Sequence, residues 1–320
     1  MQKIKYNTMR DALIDRITDV MQDRSDVFFL TADFGAPALD ALRVKHPNRF
    51  FNVGIAEQNL INIAAGLALE GYTVYAYAIA PFITMRCFEQ IRVNLSIMSQ
   101  YRPINVNLIG VGAGASYEMS GPTHHCFEDI SIMRTLPNID VFSPCDPVIT
   151  RAFVDYSLQY RRPKYLRLDS KPLGHLYSEN QNIPWDHGFK KIRTGRDIII
   201  ISTGYMTHKA VRIGEKLSSQ GYSVGVIDFF LLRPFNETAF VEVLKGGKLI
   251  LTIEEAFIQK GGLDSVVSSV VLKNHLTVPV YTFGYQDTYT TKATNREELA
   301  RENKMSDEDI IKFVISEGIR

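Results

Sequence analysis

The stretch that decides the fold reads Phe50-Phe51-Asn52-Val53-Gly54-Ile55-Ala56-Glu57-Gln58-Asn59-Leu60. A short β-like run ends at Gly54, and a helix of small and apolar residues begins almost at once. Glu57 lies in the first turn of this helix, which is too apolar for a surface helix, so we expect its carboxyl group to be buried. A buried carboxylate must be paired or protonated. Two interpretations stay open: a helix-start carboxylate favoured by the helix dipole, or a carboxyl group held in a pocket to handle a proton.

Buried apolar runs alternate with helical patterns along the rest of the chain. Strands are predicted at residues 27–31, 73–79, 104–111, 139–142, 165–168, 197–203, 222–228, 249–253 and 278–283. Helices are predicted at residues 8–24, after Glu57, through 82–95, and at 129–136, 146–159, 206–220, 237–245, 263–273 and 307–317. This alternation predicts an α/β fold with mainly parallel sheets flanked by helices.

The alternation breaks between residues 170 and 187, where proline and polar residues replace the apolar runs. We therefore predict two domains, 1–178 and 186–320, joined by a linker at 179–185. In open parallel sheets, ligands bind beyond the carboxyl ends of the strands. Asp33, Glu57, the loop 112–125 and the segment Asp169-Ser170 follow such strand ends, which favours a functional interpretation of each.

Composition excludes several classes of protein. A formal net charge of +1 over 320 residues argues against a nucleic-acid or membrane-surface footprint. No apolar run approaches the roughly 18 residues that a membrane span needs. The cysteines Cys87, Cys126 and Cys145 are few and lack metal-ligand spacing, and the charged N-terminal segment lacks a signal-peptide core. We expect a cytoplasmic protein.

Three stretches together resemble the transketolase group of thiamine diphosphate enzymes. The first is Gly54-Ile55-Ala56-Glu57-Gln58-Asn59, and the second is the aromatic-then-Arg-x-aromatic-acidic-Gln-Ile-Arg helix from Phe82 to Arg92. The third is Gly121-Pro122-Thr123-His124, continued by Glu128-Asp129 and Met133-Arg134. In the second domain, Glu254-Glu255 and Gly261-Gly262-Leu263 are similar to the family's C-terminal domain. The resemblance covers nearly the whole chain and implies a pyrimidine-binding domain followed by a transketolase C-terminal domain.

A full transketolase begins with a diphosphate-binding domain that carries a Gly-Asp-Gly motif, and no Gly-Asp-Gly occurs in this chain. The resemblance therefore implies the C-terminal subunit of a split transketolase, inactive without an N-terminal diphosphate-binding subunit. It also implies a two-plus-two heterotetramer. Thiamine diphosphate is the implied cofactor, with Mg²⁺ or Ca²⁺ bound mainly by the partner and no metal ligand in this chain.

The resemblance implies roles for particular residues. Glu57 matches the carboxyl group that hydrogen-bonds the cofactor's pyrimidine ring and so promotes proton removal. Phe82 matches the aromatic residue that stacks on that ring, and Ile79 stands where relatives often carry a further aromatic. Asp33 resembles an acidic residue near the cofactor. Arg86 matches a position that relatives often fill with Arg, and it either reaches the cofactor or only forms an ion pair.

The substrate side departs from the family pattern. His124 matches the histidine that faces the reacting oxygens of the substrate. Ser120 stands where relatives have an Asp that contacts a sugar hydroxyl, and Gly112 stands where they have a His. The phosphate-binding Arg is replaced in Asp169-Ser170, with Lys171 nearby, and Pro37 replaces a phosphate-binding Ser. These losses predict an atypical sugar, either modified or non-phosphorylated.

The function implied by the resemblance is transfer of a two-carbon ketol unit from a ketose to an aldehyde. The alternatives are the β subunit of a 2-oxoacid dehydrogenase, half of a deoxyxylulose-phosphate-synthase-like enzyme, and a non-catalytic homologue. Gly121-Pro122-Thr123-His124 argues against the dehydrogenase subunit. Glu57, Phe82 and His124 argue against a non-catalytic role.

Overall fold

The computed structural model describes residues 8–179 and 181–318, which form two sheets flanked by helices. The predicted domain ends at residues 1–7 and 319–320, and Asn180 in the predicted linker, lie outside the described residues. The strands are β1 (Val27–Thr31), β2 (Phe50–Asn52), β3 (Thr73–Ile79), β4 (Asn105–Val111), β5 (Asp140–Phe142), β6 (Lys164–Leu168), β7 (Lys190–Arg193), β8 (Ile198–Ser202), β9 (Val224–Asp228), β10 (Leu231–Arg233), β11 (Leu249–Phe257) and β12 (Val280–Tyr285).

The helices cover both faces of the two sheets. They are α1 (Met9–Asp23), α2 (Pro37–Lys45), α3 (Glu57–Leu69), α4 (Phe88–Gln90), α5 (Asp129–Thr135), α6 (Pro147–Gln159), α7 (Met206–Ser219), α8 (Glu237–Leu244), α9 (Leu263–Lys273), α10 (Arg296–Glu302) and α11 (Asp307–Ser316). Helix α11 begins with a capping box between Ser306 and Asp309. Within the described part of the chain, no helix is long and apolar enough to cross a membrane.

The first sheet has seven strands in the order β10-β5-β6-β4-β3-β1-β2. All its neighbours pair in parallel except β10 and β5, which are antiparallel. The central strands β3 and β4 are buried almost throughout, as expected for strands covered on both faces. The predicted fold class is therefore confirmed for this half of the chain.

The second sheet has five strands in the order β12-β11-β8-β9-β7. Its pairs are parallel except for the edge strand β7, which is antiparallel to β9. Strand β10 follows β9 in the chain but pairs with β5 of the first sheet. The chain after the predicted linker thus adds one strand to the first sheet. The boundaries 1–178, 179–185 and 186–320 stay predictions.

The helix predicted through residues 82–95 has an unusual winding. Segments Phe82–Arg86 and Ile91–Ile97 are π-helical and flank the short α4, and a 3₁₀ turn, Met98–Gln100, ends the run. The apolar spacing in the sequence does not distinguish these windings. The π-helix is rare in proteins overall, but where it occurs it is often found at functional sites. This stretch is therefore a candidate for a functional role.

A buried carboxyl group joins the second sheet to the chain that leads into it. Asp228, at the end of β9, accepts hydrogen bonds from the hydroxyls of Tyr177 and Thr207, both at 2.8 Å. Burial raises the pKa of Asp228 to about 7. Burial likewise raises the pKa of Glu254 to about 7. The carboxylate oxygens of Glu254 accept hydrogen bonds from the backbone N–H groups of Leu263 and Asp264 at the start of α9.

The raised pKa of Asp228 predicts a stability that falls with pH. An unfolded aspartate has a pKa of about 3.9, so the folded chain binds this proton more strongly. The resulting stabilisation is complete below about pH 4 and is lost as the pH rises through about 7. From pH 5 to pH 7, we expect Asp228 alone to lower the free energy of unfolding by about 2 kcal/mol. Asp228→Asn should remove that part of the slope, measured by urea unfolding.

The control for this experiment is Asp186→Asn, because the Asp186 side chain is 80% exposed. Because Glu254 also has a raised pKa, both variants should keep a residual decrease of the free energy of unfolding with pH. The measurement stays at or below pH 7 because Lys164, whose pKa burial lowers to about 7, adds an opposite slope above it. Equal slopes in Asp228→Asn and the wild type would contradict the prediction.

Candidate functional site

The predicted site residues follow strands of the first sheet that lie side by side. Asp33 follows β1, Glu57 follows β2, Phe82 follows β3, Gly112 follows β4 and Asp169 follows β6. Since β6, β4, β3, β1 and β2 are consecutive and parallel, these residues lie along one edge of the sheet. The topology thus brings together residues that are up to 136 positions apart in the chain, from 33 to 169.

Glu57 is the first residue of α3, and only 3% of it is exposed. The helix buries Leu60, Ile61 and Ala64 on the same side, which draws its first turn into the interior. The Nη1 of Arg86 donates a hydrogen bond of 2.6 Å to Oε2 of Glu57. This contact provides the partner that a buried carboxylate needs.

Arg86 also contacts the ring of Phe82. Its guanidinium carbon lies 4.5 Å from the ring centroid, which is cation–π geometry. Phe82 and Arg86 are the first and last residues of the π-helical segment, while Ile83, Thr84 and Cys87 are fully buried behind them. The segment therefore presents the ring and the guanidinium together beside Glu57.

Cys87 lies behind Phe82 and Arg86, and its thiol is unreactive. Burial, reinforced by the negative charge of Glu57, raises the pKa of the thiol to about 12. The Sγ donates to the carbonyl oxygen of Phe82 at 3.4 Å. The thiol thus stays neutral and helps to fix the backbone that carries Phe82.

His124 lies on the other side of Phe82. The two ring centroids are 5.4 Å apart in an edge arrangement, and the Nδ1 of His124 is 3.0 Å from the hydroxyl oxygen of Thr123. Tyr117 makes a perpendicular ring contact with His124 at 6.5 Å. The structure therefore connects Glu57, Arg86, Phe82, His124 and Tyr117 in one chain of contacts.

Gly112 has a specific packing role. Its φ angle is +97°, and a Cβ atom there would overlap the ring of Tyr117. The ring thus fills the space that a side chain at this position would take. Burial raises the pKa of Tyr117 to about 12, so its hydroxyl stays protonated at neutral pH. Tyr117 was not singled out from the sequence, because its contact with Gly112 forms only when the loop folds back.

Asp33 is held to the neighbouring strand end. Its carboxylate accepts a hydrogen bond of 2.8 Å from Asn52, and Asn52 in turn accepts the N–H groups of Asp33 and Gly54, both at 3.0 Å. Asp33 has a φ of +52°, an uncommon conformation that this triangle of bonds supports. Asn52 was not identified as a site residue, although it lies in the stretch that decides the fold. Ile79, also a predicted cofactor contact, is half-buried at the end of β3 and pairs with Val111.

The predicted substrate residues lie in and beside the loop 112–125. Ser120 is exposed and ends a 3₁₀ turn, Glu118–Ser120. The hydroxyl of Ser170 donates to the carbonyl of Ser116 at 3.1 Å, and the Nζ of Lys171 pairs with Glu118 at 3.1 Å. The charge of Lys171 is therefore offset by a carboxylate that the sequence did not single out.

Asp169, which precedes Ser170, is not exposed to solvent beside this loop. It is buried, and its Oδ2 accepts a hydrogen bond of 2.6 Å from Arg296 at the start of α10. Arg296 also binds Glu255, which accepts the N–H of Ala115 at 3.3 Å. The sequence favoured a functional interpretation of the Asp169-Ser170 segment, and in the structure an arginine of the second domain holds the Asp169 carboxylate inside the protein.

The residues fit the pyrimidine end of the cofactor that the sequence implies. Glu57 and Phe82 already hold a planar group with N–H donors between them, the guanidinium of Arg86. An aminopyrimidine is likewise planar, with a flat face for Phe82 and a ring nitrogen at its edge that can share a proton with the carboxyl group. Within residues 8–179 and 181–318, no three His, Cys, Asp or Glu side chains are grouped to hold a metal ion.

Two family models match the chain in succession. The model for the transketolase pyrimidine-binding domain matches residues 5–174, and that for the transketolase C-terminal domain matches residues 188–310. Together they cover most of the chain, in the order that the motifs predicted.

Two curated relatives span nearly the same length. An apulose-4-phosphate transketolase subunit of Actinobacillus succinogenes is 30% identical, and the match covers 96% of this chain and 97% of that relative. A 6-deoxy-6-sulfo-D-fructose transketolase subunit of a Clostridium species is 30% identical, and the match covers 90% of this chain and 87% of that relative.

Two solved structures are similar in fold. One is described as "Split gene transketolase, inactive beta4 tetramer"; it has a TM-score of 0.85 at 28% identity, over 97% of this chain and 98% of that one. The transketolase of Campylobacter jejuni has a TM-score of 0.81 at 17% identity, and the match covers 98% of this chain but 47% of that chain. At that identity the second match shows the fold alone.

The contact between Gly112 and Tyr117 gives a stability prediction. Gly112→Ala should lower the free energy of unfolding by about 2–3 kcal/mol, because it adds an overlap with the ring to an unfavourable φ. In a Tyr117→Ala background, the same change should cost only about 1 kcal/mol, the part due to φ. Chemical denaturation of the four proteins in this cycle measures both values.

Gly71→Ala is the matched control, because Gly71 has a φ of +94° and open space where its Cβ would lie. Gly71→Ala should lower the free energy of unfolding only by the contribution of the unfavourable φ angle, about 1 kcal/mol, whether or not Tyr117 is present. An equal cost of Gly112→Ala in both backgrounds would show that the tyrosine ring does not fill this space.

Proposed function

The chain belongs to the transketolase family, and we propose that it is the C-terminal subunit of a split, thiamine diphosphate-dependent transketolase-like enzyme. The reaction proposed is transfer of a two-carbon ketol unit from a ketose to an aldehyde. The observation that carries this proposal is Glu57, a buried carboxylate that Arg86 joins to the half-buried ring of Phe82. Matches that cover 97% and 87% of two relatives named as transketolase subunits support the same assignment.

Each residue of the contact chain has a task in this proposal. Thiamine diphosphate, when bound, supplies a nucleophilic ring carbon for chemistry at a ketone. The carboxyl group of Glu57 would hydrogen-bond the ring nitrogen of the pyrimidine and so promote its imino tautomer, and Phe82 would cover one face of that ring and exclude water. His124, at the edge of Phe82, would face the substrate and exchange protons with its oxygens. Asp33, held by Asn52, would line the neighbouring strand end.

The surroundings of the site support a partner subunit. Ile55 is 77% exposed, Met119 is 66% exposed and Met85 is 40% exposed, and each lies within three residues of Glu57, Tyr117 or Arg86. Large apolar side chains around a site favour a surface that another chain covers. The proposed partner is the N-terminal diphosphate-binding subunit, which would also bind the Mg²⁺ or Ca²⁺, in a two-plus-two assembly in the cytoplasm.

Glu57→Gln should lower kcat of the assembled enzyme by about 10²–10⁴-fold, because glutamine keeps the shape but cannot take up or release the proton. The assay follows ketol transfer by the reconstituted two-chain complex, and the chain alone should be inactive. Glu89→Gln is the control, because Glu89 is an exposed carboxylate on the neighbouring helical segment. Turnover by this chain without a partner would exclude the split-enzyme proposal.

The substrate proposed is an atypical sugar, either modified or lacking a phosphate. Lys171 is the basic residue beside the predicted substrate residues, and Glu118 offsets its charge. Ser120 and Gly112 add no charge to the same loop. The two curated relatives carry names that specify apulose-4-phosphate and 6-deoxy-6-sulfo-D-fructose, which supports an unusual substrate here.

Glu118→Gln should shift selectivity toward phosphorylated ketoses, because it frees Lys171 to bind an anion. We expect about a threefold to tenfold rise in kcat/KM for xylulose 5-phosphate relative to an unphosphorylated ketose. Adding Lys171→Met should abolish the rise. High kcat/KM of the wild type for xylulose 5-phosphate with ribose 5-phosphate would contradict the atypical-substrate proposal.

A further inference from the structure

Arg86 occupies the two contacts that Glu57 and Phe82 are proposed to make with the pyrimidine ring of the cofactor. Its Nη1 lies 2.6 Å from Oε2 of Glu57, and its guanidinium carbon lies 4.5 Å from the centroid of Phe82. One planar, hydrogen-bond-donating group therefore satisfies the carboxylate and covers the aromatic face at the same time. No other described side chain donates to Glu57 in the structure.

A guanidinium and an aminopyrimidine present similar features to these two residues. Both are flat, both can hydrogen-bond a carboxyl group through a nitrogen at their edge, and both stack on an aromatic ring. Oε2 of Glu57 and the stacking face of Phe82 accommodate one such group at a time. Resting on the proposed function, we propose that Arg86 is an internal cap that stands in for the cofactor's pyrimidine and is displaced when the cofactor binds.

In the unassembled chain, the Arg86 cap stabilises the buried carboxylate of Glu57. Glu57 is 3% exposed, so its charge would be costly without a cation or donor beside it. Arg86 supplies that charge until another donor arrives. In this respect the ion pair stabilises the subunit before assembly and competes with the cofactor afterwards.

Arg86 is also free to leave. Its side chain is 44% exposed, against 4% for Glu57, so the guanidinium reaches the site from the solvent side. Its flexible stem allows it to rotate outward without moving the backbone. Arg86 is the last residue of the π-helical segment, next to exposed Met85.

The test compares thiamine diphosphate affinities of the complex between this chain and its diphosphate-binding partner. Arg86→Met should bind the cofactor about tenfold more tightly than the wild type, because no charge-assisted hydrogen bond has to be broken first. Arg86→Lys, which keeps the charge but loses the planar contact with Phe82, should tighten binding less. Calorimetry measures all three affinities without relying on turnover.

Arg92→Met is the matched control. Arg92 lies on the same helical run, pairs with Glu89 and is 47% exposed, close to the value for Arg86. Its loss should leave the affinity unchanged. If Arg86→Met and Arg86→Lys bind no more tightly than Arg92→Met, the cap is wrong and the proposed function stands. If neither the wild type nor any variant complex binds thiamine diphosphate, the proposed function fails and the cap fails with it.

Discussion

The candidate site depends on one constraint, a carboxylate that lies inside the protein. The apolar face of α3 draws Glu57 into the interior, and the chain must then place a cation or donor beside it. Arg86 meets this need from a π-helical segment whose other side is anchored by fully buried Ile83 and Thr84. The same segment places Phe82 beside His124. The position of the aromatic ring and that of the cation are thus fixed by the same packing that buries the carboxylate.

A second group of buried charges makes the site depend on the C-terminal domain. Burial alone would lower the pKa of Arg296, but the attraction of Glu255 and Asp169 raises it well above its ordinary value, so it stays charged. Glu255 also accepts the N–H of Ala115, and its carbonyl accepts a hydrogen bond from Arg167. The loop that carries Tyr117 and His124 therefore begins at a backbone position held by the second domain.

Local patterns in the sequence were enough for the fold class and for part of the site. Alternating apolar runs predicted the two parallel sheets, and the apolar helix predicted that Glu57 is buried. What escaped prediction depends on contacts between distant residues. Strand β10 pairs with a strand about 90 residues earlier, and no local period encodes that pairing. The π-helical winding shares its apolar spacing with an α-helix.

Partner choice escaped prediction for the same reason. Asp169, Arg86 and Gly112 were each noticed, but Arg296, Glu57 and Tyr117 became their partners only in the folded chain.

The two sides of the site differ in how tightly the fold constrains them. On the cofactor side, changing Glu57 or Phe82 disturbs an ion pair and a ring contact at once, because Arg86 touches both. On the substrate side, Ser120 is exposed, and Lys171 pairs with Glu118 as a partly exposed ion pair, which contributes little to stability. Ser120 and Lys171, unlike Gly112, can therefore change with small effects on folding. A chain of this architecture can therefore keep the residues proposed to bind the cofactor while those proposed to bind the sugar diverge, which is the pattern of matches and departures from the family motifs in this sequence.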